Sequence, residues 1–513
     1  GDVYKRQTQY PVLKQGTINK RNDMKTLKEI LSMPSEAEKI YYLKYRRTPL
    51  PNAQALYKDW DPDKHDVMDP EIRPDNKVIV EEGRQDPKTG KIIPPQYKKD
   101  DINPTNRIML PLEQDIVNIH TAWAVRNGPK INCNPNDDKE KALLSIINSI
   151  NKKNKMRYNN KRIVRSWLSE TEVAEYWYVV KDEGFWRKIL AKVKGALGGN
   201  VMPQFKLRCA IWSPFRGDKL YPLFDDKGDY LALSREYSVK EADGTETTYF
   251  MTVTDEKVYQ WRMESDWIKV NEFKHGFIKN PTIYSWRPKA LCHNIKPIRE
   301  RLERLMSNFA DCIDRCFFPY LILEGEIHGT PQQSGKNRLI KITNGGKVYY
   351  LNWDQASDAV RLELEGLWSK AYQLTNTPQL SLDSLKGLGD VPSGRAFRFL
   401  FMGTDLAIDN HAEVIGEHIQ RRYNFLVSAV GSLNAEFMQA SQTIDIETEI
   451  QPFTIDDIAE KIKNATDACG RPIASLKTGV MMAGLVDDID DEIREIQEEQ
   501  TDKSTSNASE STD

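Results

Sequence analysis

The sequence lacks any long apolar segment. Its longest uninterrupted apolar stretch, CFFPYLIL, runs from Cys316 to Leu323, well short of the roughly 20 residues that a membrane-spanning helix needs. The mean hydropathy is −0.62, and the chain does not open on a charged segment followed by an apolar one, so we expect no secretory signal. We therefore expect a soluble protein, made inside the cell, with no membrane partner.

Cysteine is also scarce, with six residues in 513. No two of them form the CxxC pair that commonly holds zinc, and they are too dilute for a disulfide framework. Cys312 and Cys316 lie one helical turn apart, but small apolar residues at that spacing more often simply pack. Free thiols are expected at all six positions, which are Cys133, Cys209, Cys292, Cys312, Cys316 and Cys469.

An excess of positive charge is missing as well. The chain has 73 basic and 75 acidic side chains and a formal net charge of −2. Proteins that grip DNA by its phosphates usually carry an excess of Lys and Arg. If this chain contacts nucleic acid, we expect no general electrostatic attraction between the whole chain and the phosphates.

The length of 513 residues predicts about three domains. The first residues are set apart, because Asp2–Gln7 (DVYKRQ) looks like a translated sequencing adaptor and the first methionine is Met24. We expect residues 1–23 to be adaptor-derived or leader residues and exclude them from fold reasoning. Residues 501–513, rich in Ser, Thr and Asp, are expected to be disordered.

Residues 24–290 alternate between helical and strand patterns. Apolar residues in Met24–Tyr57 are spaced for one helix face. A polar helix, Lys139–Asn160, precedes a strand-rich region, Ile163–Trp286, in which apolar and polar residues alternate. This part of the chain is therefore expected to combine helices with a sheet.

Two segments interrupt that pattern. Residues 61–106 are rich in Pro, Asp and Lys, which predicts an extended, solvated arm that crosses a surface or a partner. Phe185–Leu197 is an amphipathic insert with a basic face. A helix packed on the sheet fits this insert better than a helix on a membrane surface.

Two helices with narrow apolar stripes are the most informative feature. From Pro297, apolar residues step by four, three, four and four along a helix of about 20 residues that stops before Pro319. A β-like segment, Tyr320–Trp353, separates it from a second striped helix. Each helix can pack against its sequence partner or against copies of itself in a ring. The stripes are Ile298, Leu302, Leu305, Phe309 and Ile313, then Val360, Leu364, Leu367, Ala371 and Leu374.

A glycine-containing loop, Pro378–Pro392, follows the second helix, and Ser393 then caps a long helical pattern that reaches about Ser432. The order of elements along the chain predicts an α+β fold that is mainly helical. The remaining predicted elements are a strand at Asp445–Ile450 and helices at Ile455–Ala468, Ser475–Gly484 and Asp487–Gln500.

No motif supports an enzyme. Gly329–Asn337 (GTPQQSGKN) resembles a phosphate-binding loop, but five residues rather than four separate its glycines, Asn337 replaces the Ser or Thr, and a strand follows it. His411 and His418 lie about 10 Å apart on the long helix, too far to ligate one metal ion directly. We interpret them as ordinary surface or inter-subunit polar contacts. We expect no catalytic residue, metal site or cofactor.

With its elements in this order, the chain resembles the portal proteins of tailed double-stranded DNA bacteriophages. The resemblance covers about residues 40–500. Each motif is weak alone, but their co-linear order is fairly specific. The motifs are IVNIHTAWAVRNGP (Ile116–Pro129), GFIKNPTIYSW (Gly276–Trp286), IRERLERLMSNFADCIDRCFFPYLIL (Ile298–Leu323), DVPSGRAFRFL (Asp390–Leu400) and IETEIQPF (Ile446–Phe453).

The resemblance implies a portal fold with a β-containing wing, a two-helix stem, a small α/β clip, a tunnel loop and a helical crown. The arm and the insert depart from that pattern. The implied divisions are the wing at 24–290 with the arm at 61–106, the first stem helix at 291–318, the clip at 319–355, the second stem helix at 356–377, the tunnel loop at 378–392, the long helix and a wing strand at 393–452, and the crown at 453–500.

The resemblance also implies a function. Portal proteins form closed rings, typically of twelve subunits, at one capsid vertex, and a separate terminase ATPase drives DNA through the channel by which it later leaves. The implied role is structural and not enzymatic, in the virion, after assembly in the host cytoplasm. The implied partners are further copies of the chain, double-stranded DNA without sequence preference, the terminase large subunit, the head-completion adaptor, and the major capsid and scaffold proteins.

Three groups of residues are candidates for these contacts. Lys386 on the tunnel loop is the best candidate for contact with the DNA backbone, because ring symmetry would repeat it around the duplex; an ordinary exposed loop lysine is the alternative. The basic side chains of the clip would face terminase or the adaptor. The alternative is that they occupy ordinary polar positions of a hairpin. The groups are Ser384, Lys386, Gly387 and Gly389 in the channel, Lys336, Arg338, Lys341 and Lys347 in the clip, and Leu302, Leu305, Phe309, Leu364 and Leu367 for stem oligomerisation.

The competing hypothesis is a DNA-processing enzyme, either a ring ATPase or a metal-dependent nuclease. The missing phosphate-binding loop argues against the ATPase. A non-portal ring of the head-tail connector is a third hypothesis. The charge balance fits a channel, since a strongly basic lumen would hold phosphates and oppose transport, whereas a few placed cations can guide a moving duplex.

Overall fold

The computed structural model describes most of the chain between residues 25 and 498. The predicted leader, the insert at 185–197, most of the tunnel loop and the C-terminal tail lie outside the described residues. The described residues are 25–45, 49–81, 84–85, 92–93, 96–126, 128–181, 205–240, 242–316, 320–324, 347–351, 357–379, 394–450, 458–470, 473–485 and 492–498.

Three short helices come first, as the apolar spacing of the N-terminal segment predicts. The Thr26 hydroxyl accepts a hydrogen bond from the Glu29 amide, and the Thr26 amide donates to the Glu29 carboxylate. The side chains of Ser35 and Asn52 cap the next two helices. The helices are α1 (Leu27–Ser32), α2 (Glu36–Leu43) and α3 (Ala53–Trp60).

The prediction of a solvated arm is wrong for its two ends. The chain after α3 forms short 3₁₀ turns in which His65 and Val67 are buried, and residues 104–110 run back beside them. Between these ends lies an antiparallel hairpin with Lys77 opposite Ile102. Its strands are β1 (Asn76–Glu81), β2 (Arg84–Gln85), β3 (Ile92–Ile93) and β4 (Gln96–Asn103).

Three helices then build the main core. The polar helix predicted at 139–160 is two helices, because Lys155 takes a left-handed conformation (φ 55°) between them. The second helix extends into the region predicted as strands, since Ile163, Val164, Trp167 and Leu168 are spaced for one helix face and are buried. The helices are α4 (Leu112–Val125), α5 (Asp138–Lys153) and α6 (Met156–Glu170).

Two antiparallel sheets follow, and they confirm the strands predicted up to Trp286. The larger sheet has the order β12-β11-β10-β9-β8, and α1 and α2 pack their apolar residues against its Phe250 and Trp261. The smaller sheet has the order β13-β6-β7. The strands are β6 (Glu172–Lys181), β7 (Phe205–Trp212), β8 (Lys219–Phe224), β9 (Tyr230–Lys240), β10 (Glu246–Val253), β11 (Lys257–Met263), β12 (Trp267–Lys274) and β13 (Thr282–Trp286), with β5 (Lys130–Asn132) apart from both.

The C-terminal half is helical around one small hairpin. Its first two helices flank a two-stranded pair, which confirms the predicted helix, β segment, helix order. The next helix is 40 residues long, and a short strand after it pairs with β5. No described helix has an apolar stretch that could cross a bilayer. The elements are α7 (Lys296–Cys316), β14 (Tyr320–Glu324), β15 (Lys347–Leu351), α8 (Ser357–Leu374), α9 (Gly394–Leu433), α10 (Ala440–Thr443), β16 (Glu447–Glu449), α11 (Ile458–Gly470), α12 (Leu476–Ala483) and α13 (492–498).

Candidate functional site

The two striped helices, α7 and α8, pack against one another within one chain. Leu302 is fully buried in the main core, and Leu364 and Leu367 pack against the same core. An Arg301–Glu363 ion pair of 2.8 Å, between exposed side chains, also joins the helices. Pairing with the sequence partner accounts for Leu302, whereas Leu364 and Leu367 are only half-buried and keep part of their surface exposed.

Other stripe residues and their neighbours keep exposed surface. Leu305 and Phe309 are half-buried. Ile313 is 44% exposed on α7, and Leu362 is 73% exposed on α8. The helix pair therefore keeps exposed apolar side chains that are available to a partner.

A second set of contacts holds the polar face of α7. His65 Nδ1 lies 2.5 Å from Glu303 Oε1, and the Leu110 amide donates to the same oxygen at 2.9 Å. One turn further on, the Ile108 amide donates to Ser307 Oγ at 2.9 Å. We call the two segments that make these contacts, residues 59–75 and 104–110, the stem clamp.

The stem clamp continues toward the C-terminal end of α7. Arg73 donates to Asn308 Oδ1 at 2.7 Å and pairs with Asp311 at 2.5 Å. The Asn106 amide donates to Asp311 Oδ1 at 2.8 Å, and its side chain donates to Asp314 at 2.6 Å. Both ends of the predicted arm are therefore fixed to the same stretch of α7, about three turns from Glu303 to Asp314.

A buried ion pair anchors the start of α7. Arg299 is 2% exposed, and its Nε lies 2.9 Å from Glu113 Oε1 on α4. Asp59 lies 3.2 Å from Arg299 Nη2 and 2.8 Å from Lys296 Nζ. Burial raises the pKa of Glu113 to about 7, although the Arg299 guanidinium opposes the rise. This group of charges ties α7 to α4 and α3.

Sequence reasoning missed the stem clamp. The available signal was a second periodicity on α7, in which Arg299, Glu303, Ser307 and Asp311 step by four and so share one face. Polar residues on such a face are usually solvated, and nothing in the sequence indicates that their partners lie about 200 residues earlier in the chain.

The root of the predicted tunnel loop is fixed at its first end. Asn376 has a left-handed conformation (φ 52°) just after α8, and its carbonyl accepts a hydrogen bond from Thr404 Oγ1 on α9 at 2.9 Å. Thr377 Oγ1 lies 3.0 Å from His120 Nε2 on α4. The loop therefore leaves from a point that is tied to both α4 and α9.

The interpretation of His411 as a surface or inter-subunit contact is wrong. His411 is buried, 5.5 Å from the ring of His120 and 5.4 Å from that of Trp167. Burial lowers the pKa of His120 to about 4 and that of His411 to about 3. Both rings are therefore neutral at pH 7 and pack as part of the core.

His418 is also buried, so its surface interpretation is wrong too. His418 Nε2 lies 3.0 Å from Glu175 Oε1 on β6, and Nδ1 lies 2.7 Å from Ser285 Oγ on β13. Arg422, one turn on, pairs with both oxygens of Glu175 and donates to Asn160 Oδ1 at 2.8 Å. Burial would raise the pKa of Glu175, but Arg422 and His418 outweigh it and lower it to about 2. The network fixes α9 to the smaller sheet.

The two buried histidines give a testable pH dependence. In the unfolded chain His411 takes up a proton below about pH 6.5, whereas in the folded protein burial keeps it neutral. Protonation therefore favours the unfolded state, and the protein loses stability as the pH falls below 6.5. Between pH 7 and pH 5 we expect the free energy of unfolding to fall by about 2 kcal/mol less in His411→Gln than in the unaltered protein. Urea unfolding at both pH values measures this. Equal pH dependence in the two proteins would contradict it.

The sequence profile of the family described as "Phage portal protein, SPP1 Gp6-like" matches residues 46–506. The chain belongs to this family. Among solved structures, chains of "Virion of native gene transfer agent (GTA) particle" and "Neck of empty GTA particle computed with C6 symmetry" are similar at 11% identity and a TM-score of 0.37, over 73% of this chain and 89% of theirs. No curated protein matches the sequence.

In this portal protein, the residues proposed for partner contacts fall in different places. The stem residues are described above, and Leu302 has no surface left for a neighbour. Lys347 begins β15, opposite Glu324. The remaining candidates lie outside the described residues; they are Ser384, Lys386, Gly387 and Gly389 in the tunnel loop and Lys336, Arg338 and Lys341 in the clip.

Proposed function

We propose that this portal protein assembles into a closed ring of twelve copies at one vertex of a phage capsid, and that DNA enters and leaves the capsid through the ring. The observation that carries the proposal is the family match over residues 46–506. The helix, β hairpin, helix order of α7, β14–β15 and α8 supports it, because a stem and clip require that order.

The stem supplies surface for ring contacts. Contact with another copy of the chain would bury exposed apolar side chains such as Ile313 and Leu362. A closed ring gives every subunit the same two neighbours, so each such side chain is covered in the same way. We assign Leu305, Phe309, Leu364 and Leu367 to the edges of that contact, and Leu302 to the contact between α7 and α8.

DNA contacts belong to the tunnel loop in this proposal. Ring symmetry repeats Lys386 around the channel, and the flanking Ser384, Gly387 and Gly389 let the loop lie close to the duplex. The Thr377–His120 contact gives this loop a root that is fixed in the core.

Partner proteins would bind the two ends of the ring. Lys336, Arg338, Lys341 and Lys347 of the clip face the terminase large subunit during packaging and the head-completion adaptor afterwards. The wing and crown contact the major capsid and scaffold proteins, with assembly in the host cytoplasm.

The portal family is structural, which favours a channel over a DNA-processing enzyme. Within the described ranges no group of three or more His, Cys, Asp or Glu side chains is placed to hold a metal ion. ATP hydrolysis and magnesium-dependent DNA cleavage assays on the purified protein distinguish the two. Activity that co-purifies with the ring would support a ring ATPase or a metal-dependent nuclease.

We expect double-stranded DNA to bind weakly and without sequence preference. With a formal net charge of −2, the chain has no general attraction for phosphates, so a Kd of about 10 µM or weaker is expected near physiological salt. Fluorescence anisotropy over a salt series measures it. Lys386→Ala should flatten the salt dependence, whereas Lys227→Ala, at an exposed turn of the wing, should leave it unchanged. Nanomolar, salt-insensitive binding would contradict the proposal.

Mass photometry of the full chain tests the ring itself. The proposal predicts a particle of about twelve times the 59.1 kDa chain mass. A monomer that persists as the concentration rises would contradict it.

A further inference from the structure

A small cavity lies where α3, α4 and α6 meet the start of α7. Its volume is about 30 Å³, which is room for about two water molecules. Each wall comes from a different segment, so the cavity exists only when these segments pack together, and no sequence motif could indicate it. We call it the junction cavity. Its polar lining includes Asp59, Glu113, Ser169, His293 and Lys296.

The carboxyl group of Glu113 is the buried polar group of this lining. Glu113 is 5% exposed. Its Oε1 forms the ion pair with Arg299 described above, but its Oε2 has no hydrogen-bond partner among the described residues. Carboxylate oxygens that are shielded from bulk water normally accept hydrogen bonds or bind a cation. Oε2 is therefore available to a donor or a cation that enters the cavity.

The charges around the cavity do not balance. Ion pairs no longer than 4.0 Å join three carboxylates, those of Asp59, Glu113 and Glu300, to only two cations, Lys296 and Arg299. This group therefore carries one negative charge in excess when all its members are ionised.

The surrounding groups do not supply the missing positive charge. His65 is paired with Glu303, so at most these two cancel one another. Lys58 is likewise paired with Asp66. Burial raises the pKa of the Cys292 thiol, which therefore stays neutral.

The protonation of Glu113 sets the pH at which the excess appears. Burial raises the pKa of this carboxyl group to about 7; Arg299 and His65 oppose the rise, and Glu303 adds to it. At pH 8 most of the Glu113 side chains are therefore ionised, and the excess negative charge lies in the junction.

Size and charge define what the cavity can hold. A volume of about 30 Å³ excludes organic ions of more than a few heavy atoms. A divalent ion usually takes six or more oxygen ligands, whereas within the described ranges no three His, Cys, Asp or Glu side chains are placed around one metal position. Lys296 and Arg299 also repel a second positive charge. A single positive charge on a small ion fits both limits.

We propose that the junction cavity binds one small monovalent cation, such as K⁺, Na⁺ or ammonium, against Glu113 Oε2. The ion balances the charge that Lys296 and Arg299 leave uncompensated, and Ser169 and water supply further oxygen atoms. Because the cavity is lined by α3, α4, α6 and the start of α7, the bound ion stabilises the attachment of the stem to the wing. The inference concerns the folded subunit and does not depend on the proposed ring.

Thermal unfolding in different salts tests the proposal. The full chain is compared at pH 8 in KCl, NaCl, ammonium chloride and choline chloride, each at about 150 mM so that charge screening is equal. Choline is too large for the cavity. We expect the unfolding midpoint to be about 2 °C higher in at least one of the three small cations, with a rise that saturates as the ion concentration increases. Equal midpoints in all four salts would overturn the proposal.

A pair of matched variants shows whether the effect belongs to this site. Glu113→Gln keeps the size of the side chain and removes its charge, so the difference between the small cation and choline should disappear. Glu436→Gln makes the same change at an exposed residue after α9, and the difference should remain. A difference of equal size in Glu113→Gln and the unaltered protein would overturn the proposal.

A direct measurement on the unaltered protein covers the case in which Glu113→Gln does not fold. Crystals of the full chain are soaked in thallium(I) acetate, because Tl⁺ replaces K⁺ and scatters X-rays anomalously. The proposal predicts an anomalous peak in contact with the Glu113 carboxylate. Its absence there, with Lys296 or water in the cavity, would overturn the ion site and leave the portal function standing.

Discussion

Replacing Arg422 with Met should lower the free energy of unfolding by about 3–5 kcal/mol. Glu175 and Arg422 are both fully buried, and the guanidinium is the main group that offsets the buried carboxylate. Without it, Glu175 must remain charged in the core beside His418 or take up a proton. Denaturant unfolding followed by tryptophan fluorescence measures the change, since Trp177 donates a hydrogen bond to Glu175.

Two further variants give this prediction its control. Arg421→Met removes the neighbouring exposed pair with Glu417, and should change stability by less than about 1 kcal/mol. Adding Glu175→Gln to Arg422→Met removes the unpaired charge and should restore part of the loss. If Arg422→Met costs no more than Arg421→Met, the network does not anchor α9 to the sheet as we describe.

Replacing Glu303 with Ala should destabilise the stem by about 2–4 kcal/mol and release the N-terminal segments from α7. Glu303 is buried, and its Oε1 lies within hydrogen-bond distance of His65 Nδ1 and accepts a hydrogen bond from the Leu110 amide. Truncation leaves these two groups buried without their partner, and an unsatisfied buried donor costs more than the hydrogen bond itself contributes. Thermal unfolding measures the loss of stability, and limited proteolysis within residues 59–110 measures the release.

The adjacent residue on α7 provides the comparison. Arg304 is exposed, so Arg304→Ala should change stability by no more than about 0.5 kcal/mol and leave proteolysis unchanged. Glu303→Gln keeps an acceptor for the Leu110 amide, so its loss of stability should lie between those of Glu303→Ala and Arg304→Ala. Equal protease sensitivity in Glu303→Ala and Arg304→Ala would show that the stem clamp does not depend on this carboxylate.

The parts of the fold that the sequence predicted well are those set by local periodicity. The apolar stripes through Leu302 and Leu364 predicted both stem helices, because a helix face repeats every three or four residues whatever it packs against. Alternation in β9 and β10 gave the strands in the same way. Co-linear motifs then indicated the portal family, which the match over residues 46–506 confirms.

The parts that the sequence did not predict depend on contacts between distant residues. Glu175 and Arg422 are 247 residues apart, and His65 and Glu303 are 238 apart. A histidine such as His418 has the same local pattern whether its helix face is solvated or packed on a sheet. Composition likewise could not show that Arg73 and Asn106, in a polar segment, are fixed to α7.

The most direct test of the proposed portal function is a cryo-electron microscopy reconstruction of the purified full chain. The proposed portal function predicts a closed ring of twelve copies with an open central channel, in which α7–α8 pairs surround the channel and the Pro378–Pro392 segment is directed into it. A particle without a central channel, or a ring in which the α7–α8 pairs lie on the outer rim, would contradict the portal function proposed for this chain.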